Sequence, residues 1–166
     1  MAGLLRPDWV IPDIQQLDPA FLRQREITTL LIDVDGTLKT YRSRNVDQQV
    51  IAWAEELRRA GVRLFLISNG RHSRIALIAS QLGLPYIARA CKPFPFACWR
   101  ALKHLGGNKK STALVGDQIL TDVLAAKLAG VKSILVGFPG PNDGPWWAWL
   151  IRPLEFPLYR LTKTRK

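Results

Sequence analysis

Between about residues 27 and 137 the chain alternates short apolar runs with stretches whose apolar residues recur every three or four positions. Residues 27–32 (ITTLLI) and 62–67 (VRLFLI) have the length and β-branched content of buried strands. Residues 47–60 predict a helix: Val50, Ile51, Ala54 and Leu57 share one face, Asp47 stands at the cap position and Gly61 is the stop signal. A second helix is predicted over 73–82, ended by Gly83, and a short strand over 86–88. Helix 95–105 runs into Gly106 and Gly107, strand 111–115 follows, helix 119–129 is closed by Gly130, and a last strand covers 131–136. Strands alternating with such helices indicate βαβ units, so the predicted fold is α/β, a three-layer doubly wound parallel sheet. In such sheets ligands bind beyond the carboxyl ends of the strands, near the point where strand order reverses.

A length of 166 residues predicts one domain over 1–166, with a core at about 26–140 and an aromatic and basic segment at 141–166. With 48% hydrophobic and 22% charged residues, the composition excludes a disordered or collagenous chain. No apolar run approaches the roughly 20 residues of a membrane-spanning helix. The charge is unusual. Lys and Arg number 24 against 13 Asp and Glu, a formal net charge of +11, which favours anionic partners. Cys91 and Cys98 match no zinc spacing with His72 and His104, and two cysteines make no disulfide framework. The opening MAGLLRPDWVIPD lacks the apolar stretch of a signal peptide, so a mature, cytoplasmic protein is expected.

The residues that follow the predicted strands are chemically coherent. Asp33-Val34-Asp35-Gly36-Thr37 follows the first and Ser68-Asn69-Gly70 the second. Lys92 precedes helix 95–105, and Gly116-Asp117, with Asp122 beyond, follows strand 111–115. Carboxylates, a hydroxyl and an ammonium thus converge on one sheet edge. Close aspartates repel and favour a cation between them, and all-oxygen ligands suit Mg²⁺. Asn69, Arg71 and His72 are weaker candidates, since a helix start accounts for them equally well.

On DVDGTL at 33–38, SN at 68–69, Lys92 in CKP and GDQILTD at 116–122, the chain resembles the haloacid dehalogenase (HAD) superfamily of phosphatases over about residues 26–140. The resemblance implies that Asp33 is the nucleophile that forms an aspartyl-phosphate, and Asp35 the general acid and then base. Gly36 lets the chain leave the strand, Thr37 holds the turn, and Ser68 bonds a phosphoryl oxygen, with Thr37 and Asn69 also among the substrate-binding residues. Lys92 neutralises the nucleophile and the transferring group. Asp33, Asp117 and the Asp35 carbonyl hold Mg²⁺, and Asp122 orients Lys92 or a metal-bound water. Such chemistry rests on positioning and charge neutralisation. The two stretches where a lid domain is inserted in this superfamily, 38–62 and 69–91, are filled by predicted elements, so a capless, open site is expected. CKP, GDQ-x-x-TDV and the strand ending at Val136 most resemble the YqeG-type, subclass IIIA phosphatases, a group similar to phosphatidylglycerophosphate phosphatases. Gly36 stands where many of that group carry Asn.

The segment 146–166 (WWAWLIRPLEFPLYRLTKTRK) combines tryptophans with flanking cations, the composition of a membrane-surface segment. Leu4, Leu5, Arg6, Trp9, Val10 and Ile11 are candidates to join it. The expected partner is therefore an anionic phospholipid at a membrane surface, and peripheral association with the inner membrane face follows. The alternatives are a soluble sugar or sugar-acid phosphate, with an oligomer partner closing the site, and a basic nucleic-acid binder or nucleic acid end-phosphatase. Scattered cations disfavour the nucleic-acid reading.

Overall fold

The computed structural model describes residues 3–39, 43 and 45–137; the aromatic and basic segment 141–166 lies outside them. Six parallel strands form one open sheet in the order β1-β6-β5-β2-β3-β4. They are β1 (Trp9–Ile11), β2 (Thr29–Ile32), β3 (Arg63–Ile67), β4 (Tyr86–Ile87), β5 (Thr112–Gly116) and β6 (Lys132–Val136). The helices are α1 (Pro19–Gln24), α2 (Gln48–Arg59), α3 (His72–Leu82), α4 (Phe96–Leu105) and α5 (Leu124–Ala129). Every predicted element is present, with ends shifted by one or two residues except at one place. The helix predicted over 119–129 opens as a π-helical turn, Ile119–Val123, before α5 proper.

Register explains why the central strands are apolar without interruption. Leu31 of β2 lies level with Phe65 of β3 and Leu114 of β5, and all three face α4 and α5. Leu30, Leu64 and Ala113, one residue earlier, face the opposite layer with α2 and α3. Side chains alternate across a strand, so a sheet covered on both faces must be hydrophobic at every position. Asp47 caps α2 by accepting from the Gln49 N–H at 2.9 Å, which satisfies a donor that the first turn leaves unpaired.

The sequence places the N-terminal residues in a candidate membrane patch, but the structure builds the last three of them into the sheet. Trp9–Ile11 is an edge strand paired with β6. Ile11 is core, and Trp9 is half-buried against the Phe21 ring, with Arg25 stacked over both rings. Trp9 and Ile11 are therefore withdrawn from any lipid-facing patch, although Leu4 and Val10 stay exposed. The buried Trp53 indole donates to the Leu17 carbonyl at 3.0 Å and fastens the same segment to α2. Among the described residues no helix is long and apolar enough to cross a membrane.

The sheet turns back on itself around β2. After β2 the chain builds β3 and β4 on one side, then returns to build β5 and β6 on the other. The carboxyl end of β2 is thus the switch point, and Asp33 is the first residue beyond it.

Asp8 holds the edge strand in place. Its carboxylate accepts from the Ser133 N–H (2.7 Å), the Ser133 hydroxyl (2.9 Å) and the Lys127 ammonium (2.6 Å). Burial alone would raise its pKa, but the Lys127 and Ser133 donors outweigh that and hold it below the ordinary 3.8. Asp8→Ala should lower stability by about 1–2 kcal/mol, a figure discounted because the side chain is one-third exposed. A folded pKa below the unfolded one contributes stability that is complete above 3.8 and fades as pH falls through the folded value. Chemical denaturation should therefore show a gap between variant and parent that is full at neutral pH and narrows in acid.

Candidate active site

The predicted site residues arrive from four strand ends. Asp33 leaves β2 with its N–H still bonded to the Val115 carbonyl of β5 at 2.9 Å, so its position is set by the sheet. The chain then folds tightly: the Leu38 N–H bonds Val34 O at 3.0 Å and the Gly36 N–H bonds Lys39 O at 2.8 Å. Gly36 has φ 84°, a conformation that costs a side-chain-bearing residue energy. Val34 and Leu38 are buried beneath this turn, and the Thr37 hydroxyl lies 3.4 Å from Asp33 Oδ2.

Lys92 sits at the centre. Its ammonium donates to Asp33 Oδ1 at 2.6 Å and to Asp122 Oδ1 at 2.5 Å, with all three side chains buried. The backbone of Lys92 is gripped by Asn69, whose amide accepts from the Lys92 N–H at 2.8 Å and donates to the Lys92 carbonyl at 3.1 Å. Asn69, expected among the substrate contacts, is therefore committed to placing Lys92. Ser68 is buried at the end of β3, and its hydroxyl oxygen accepts from the Gly70 N–H at 3.0 Å, so its proton can be donated elsewhere.

Asp122 is placed by the π-helical turn, in which both Asp122 and Val123 N–H groups bond the Gln118 carbonyl. Such turns are rare and recur at functional sites. The second oxygen of Asp122 accepts from the Gln118 N–H at 3.1 Å. Its carboxyl carbon lies only 2.2 Å from where a Cβ on Gly116 would stand, so the close approach requires glycine.

Asp33, Asp117 and Asp122 each offer a carboxylate oxygen, all within 4.8 Å of one another. With both Asp122 oxygens engaged, Asp33 and Asp117 are the side chains that fit a metal ion. The donors are hard oxygens, as Mg²⁺ requires. Charge fits as well: the cluster sets three buried carboxylates against one buried ammonium, which pairs with Asp33 and Asp122. Burial pushes the Asp33 carboxyl up to about 7, against the pull of Lys92 and with added repulsion from Asp122 and Asp35. A divalent cation beside it would favour the carboxylate. Burial alone would lower the pKa of Lys92, but Asp122 and Asp33 outweigh this and hold it above the ordinary lysine value. Cys98 lies in the same layer, and burial pushes its thiol up to about 12, which leaves it inert as a nucleophile.

Asp35 is oriented by two residues that sequence reasoning missed. Arg74 of α3 grips its carboxylate with two nitrogens, at 2.8 and 2.6 Å. Lys39, four residues on, pairs with Asp35 Oδ1 at 2.9 Å. Lys39 falls just beyond the tight turn and Arg74 on a helix face. Their chain positions carry no signal, because the pairing depends on how α3 lies against the turn. Arg71 and His72 are exposed at the start of α3, and His72 is hydrogen bonded to the Tyr86 hydroxyl at 3.0 Å.

A doubly wound parallel sheet with a buried Asp–Lys–Asp cluster and carboxylates able to hold a divalent cation at its switch point fits a phosphoryl-transfer enzyme of the HAD type. Comparison with known proteins agrees. The HAD-hydrolase-like family model matches residues 89–138. The chain is 33% identical over 138 residues to the probable phosphatase YqeG of Bacillus subtilis, covering 83% of this chain and 80% of that one. It is 25% identical over 162 residues to the chloroplastic phosphatidylglycerophosphate phosphatase 1 of Chlamydomonas reinhardtii, covering 92% of this chain and 60% of that protein. Among solved structures, an uncharacterized protein from Listeria monocytogenes superposes with a TM-score of 0.58 at 17% identity (71% of this chain, 84% of the other). The cobalt-bound deoxy-D-mannose-octulosonate 8-phosphate phosphatase of Haemophilus influenzae superposes with a TM-score of 0.56 at 15% identity (83% and 90%). At such identities these two show a common fold. The protein belongs to the HAD-like hydrolases and is a phosphatase of that family. The acidic cluster fits the Mg²⁺ with which these phosphatases work.

Gly116→Ala tests the arrangement without replacing a titratable group. The added methyl must push the Asp122 carboxylate away from Lys92, and a displacement near 1 Å in such a site costs on the order of 100-fold in rate. Phosphate release from p-nitrophenyl phosphate should fall by about that factor.

Proposed function

We propose that this phosphatase removes the terminal phosphate of phosphatidylglycerophosphate through an aspartyl-phosphate on Asp33. The observation that carries the chemistry is the buried Lys92 bridge between Asp33 and Asp122. The Asp33 oxygen not bonded to Lys92 attacks phosphorus, and the bond to the leaving glycerol oxygen breaks. Asp35, having left Arg74 and Lys39 and taken a proton from solvent, gives that proton to the leaving oxygen. In the second half Asp35 takes a proton from water, whose oxygen attacks phosphorus and releases phosphate and the Asp33 carboxylate. For this, the Asp35 carboxyl must turn from its resting partners Arg74 and Lys39 toward the leaving group. The Ser68 hydroxyl donates to a phosphoryl oxygen, Thr37 and Gly36 hold the turn, and Lys92 balances the charge that gathers on the transferring group. Asp33, Asp117 and the Asp35 carbonyl would hold Mg²⁺, which would neutralise phosphoryl charge.

Two considerations support the lipid substrate. The phosphatidylglycerophosphate phosphatase of Chlamydomonas shares 25% identity along 92% of this chain. We also read the chain as one capless domain, because α3 alone separates β3 from β4. An open site suits a headgroup presented at a surface.

The test is Mg²⁺-dependent phosphate release from phosphatidylglycerophosphate in micelles beside a panel of soluble sugar and sugar-acid phosphates. Strong preference for the lipid is expected. Activity confined to soluble esters would refute the lipid reading and leave the phosphatase intact. Asp33→Asn should lower turnover by about 10⁴-fold or more, since a residue that forms the covalent intermediate has no substitute. Chelation with EDTA should abolish release and Mg²⁺ restore it, with Ca²⁺ a poor replacement because it favours more ligands at longer distances.

A further inference from the structure

Phe94 and Phe96 follow Lys92 by two and four residues, and each is 58% exposed. Their rings stack at 6.1 Å, and Trp99, 41% exposed, meets Phe96 edge-on at 5.8 Å. α4 begins at Phe96, so the phenylalanines lie at the carboxyl edge of the sheet, on the loop that carries Lys92. Large apolar groups clustered at a surface mark an interaction site.

The surroundings say what kind of partner fits. Cations recur along the whole chain, but residues 57–116 contain eleven Lys and Arg and no Asp or Glu to offset them. Arg89 and Arg71 are exposed at the same edge, brought together where the Arg89 N–H bonds the Gly70 carbonyl at 3.0 Å. Arg100 and Lys103 are exposed along α4, and the Lys109 ammonium lies 5.6 Å from the centre of the Trp99 ring. Aromatic rings rimmed by cations are the composition of a segment that rests in a negatively charged membrane interface.

We propose that Phe94 and Phe96, flanked by Arg71 and Arg89, form a docking face that seats this phosphatase on an anionic lipid bilayer, with its active-site edge at the headgroups. The choice of occupant rests on the lipid reading above. The rings also favour a bilayer over nucleic acid. They stack on one another, 18° from parallel, which covers the sides that face each other, whereas a nucleic-acid platform leaves ring faces open for bases. This face lies on the loop of Lys92, so it couples docking to the reacting centre.

The test uses the full chain and vesicles of phosphatidylglycerol and phosphatidylcholine, with pure phosphatidylcholine as the comparison. The parent should cosediment with the anionic vesicles and be released as salt is raised. The double variant Phe94→Ser/Phe96→Ser should bind them about 10- to 100-fold more weakly while keeping its thermal midpoint and its hydrolysis of p-nitrophenyl phosphate. If the double variant loses its fold, Phe94→Ser alone, at an exposed loop position, carries the comparison, with a loss of at least a few-fold expected. Unchanged vesicle binding in a folded variant overturns the proposal, and so does a parent that ignores anionic vesicles. A short RNA whose affinity falls in the variant while vesicle binding does not would reassign the face to nucleic acid. The two readings fail separately. Lost vesicle binding in the variant with no turnover of micellar phosphatidylglycerophosphate by the parent would keep the docking face and discard the substrate. Turnover of that lipid with unchanged binding in the variant would do the reverse.

Discussion

The ammonium of Lys92 is the point on which the site depends. A buried lysine is costly unless carboxylates surround it, and a buried carboxylate is costly without a cation. Lys92 and the two aspartates at 2.6 and 2.5 Å satisfy each other, and they come from the ends of β2, the loop after β4 and the turn after β5. Removing one member would strand a buried charge, at a cost of about 3–5 kcal/mol in comparable pairs. Several local features serve this contact. Asn69 clamps the Lys92 backbone, the π-helical turn presents Asp122, and Gly116 leaves room for it.

The two aspartates of the DVDGT stretch live in different surroundings, which suits the different work proposed for them. Asp33 is buried against Lys92 and held by the sheet, as a nucleophile that must not move requires. The Asp35 carboxylate is partly exposed and pairs with the Lys39 and Arg74 side chains, from which the proposed mechanism requires it to turn.

The fold was legible where hydrophobic periodicity was strong. Strands β2, β3, β5 and β6 and helices α2, α3 and α4 were predicted within one or two residues, because a two-faced sheet leaves continuous apolar runs and its helices leave three- and four-residue spacing. The N-terminal elements were missed. Trp9–Ile11 is only three residues long, and its role becomes visible only when β6 lies beside it. The Asp18-Pro19 start of α1 was a signal that could have been read, since aspartate caps and proline suits the first helical turn. The π-helical turn was invisible because its sequence continues the helical pattern of α5.

Sequence alone determined the class of this protein. Strand-end motifs at fixed places in an alternating βαβ pattern name the oxygen donors, the lysine and the sheet edge where they meet, since strand direction and connection handedness leave them no other place. Tertiary structure decided which carboxylate answers which cation. Asp33 and Asp122 share Lys92, while Asp35 turns to Lys39 and Arg74. It also decided that Trp9 and Ile11 belong to the sheet and that Phe94 and Phe96 face outward. Pairings and exposure depend on distances between segments far apart in the chain, and those exist only once the sheet has brought its ends together.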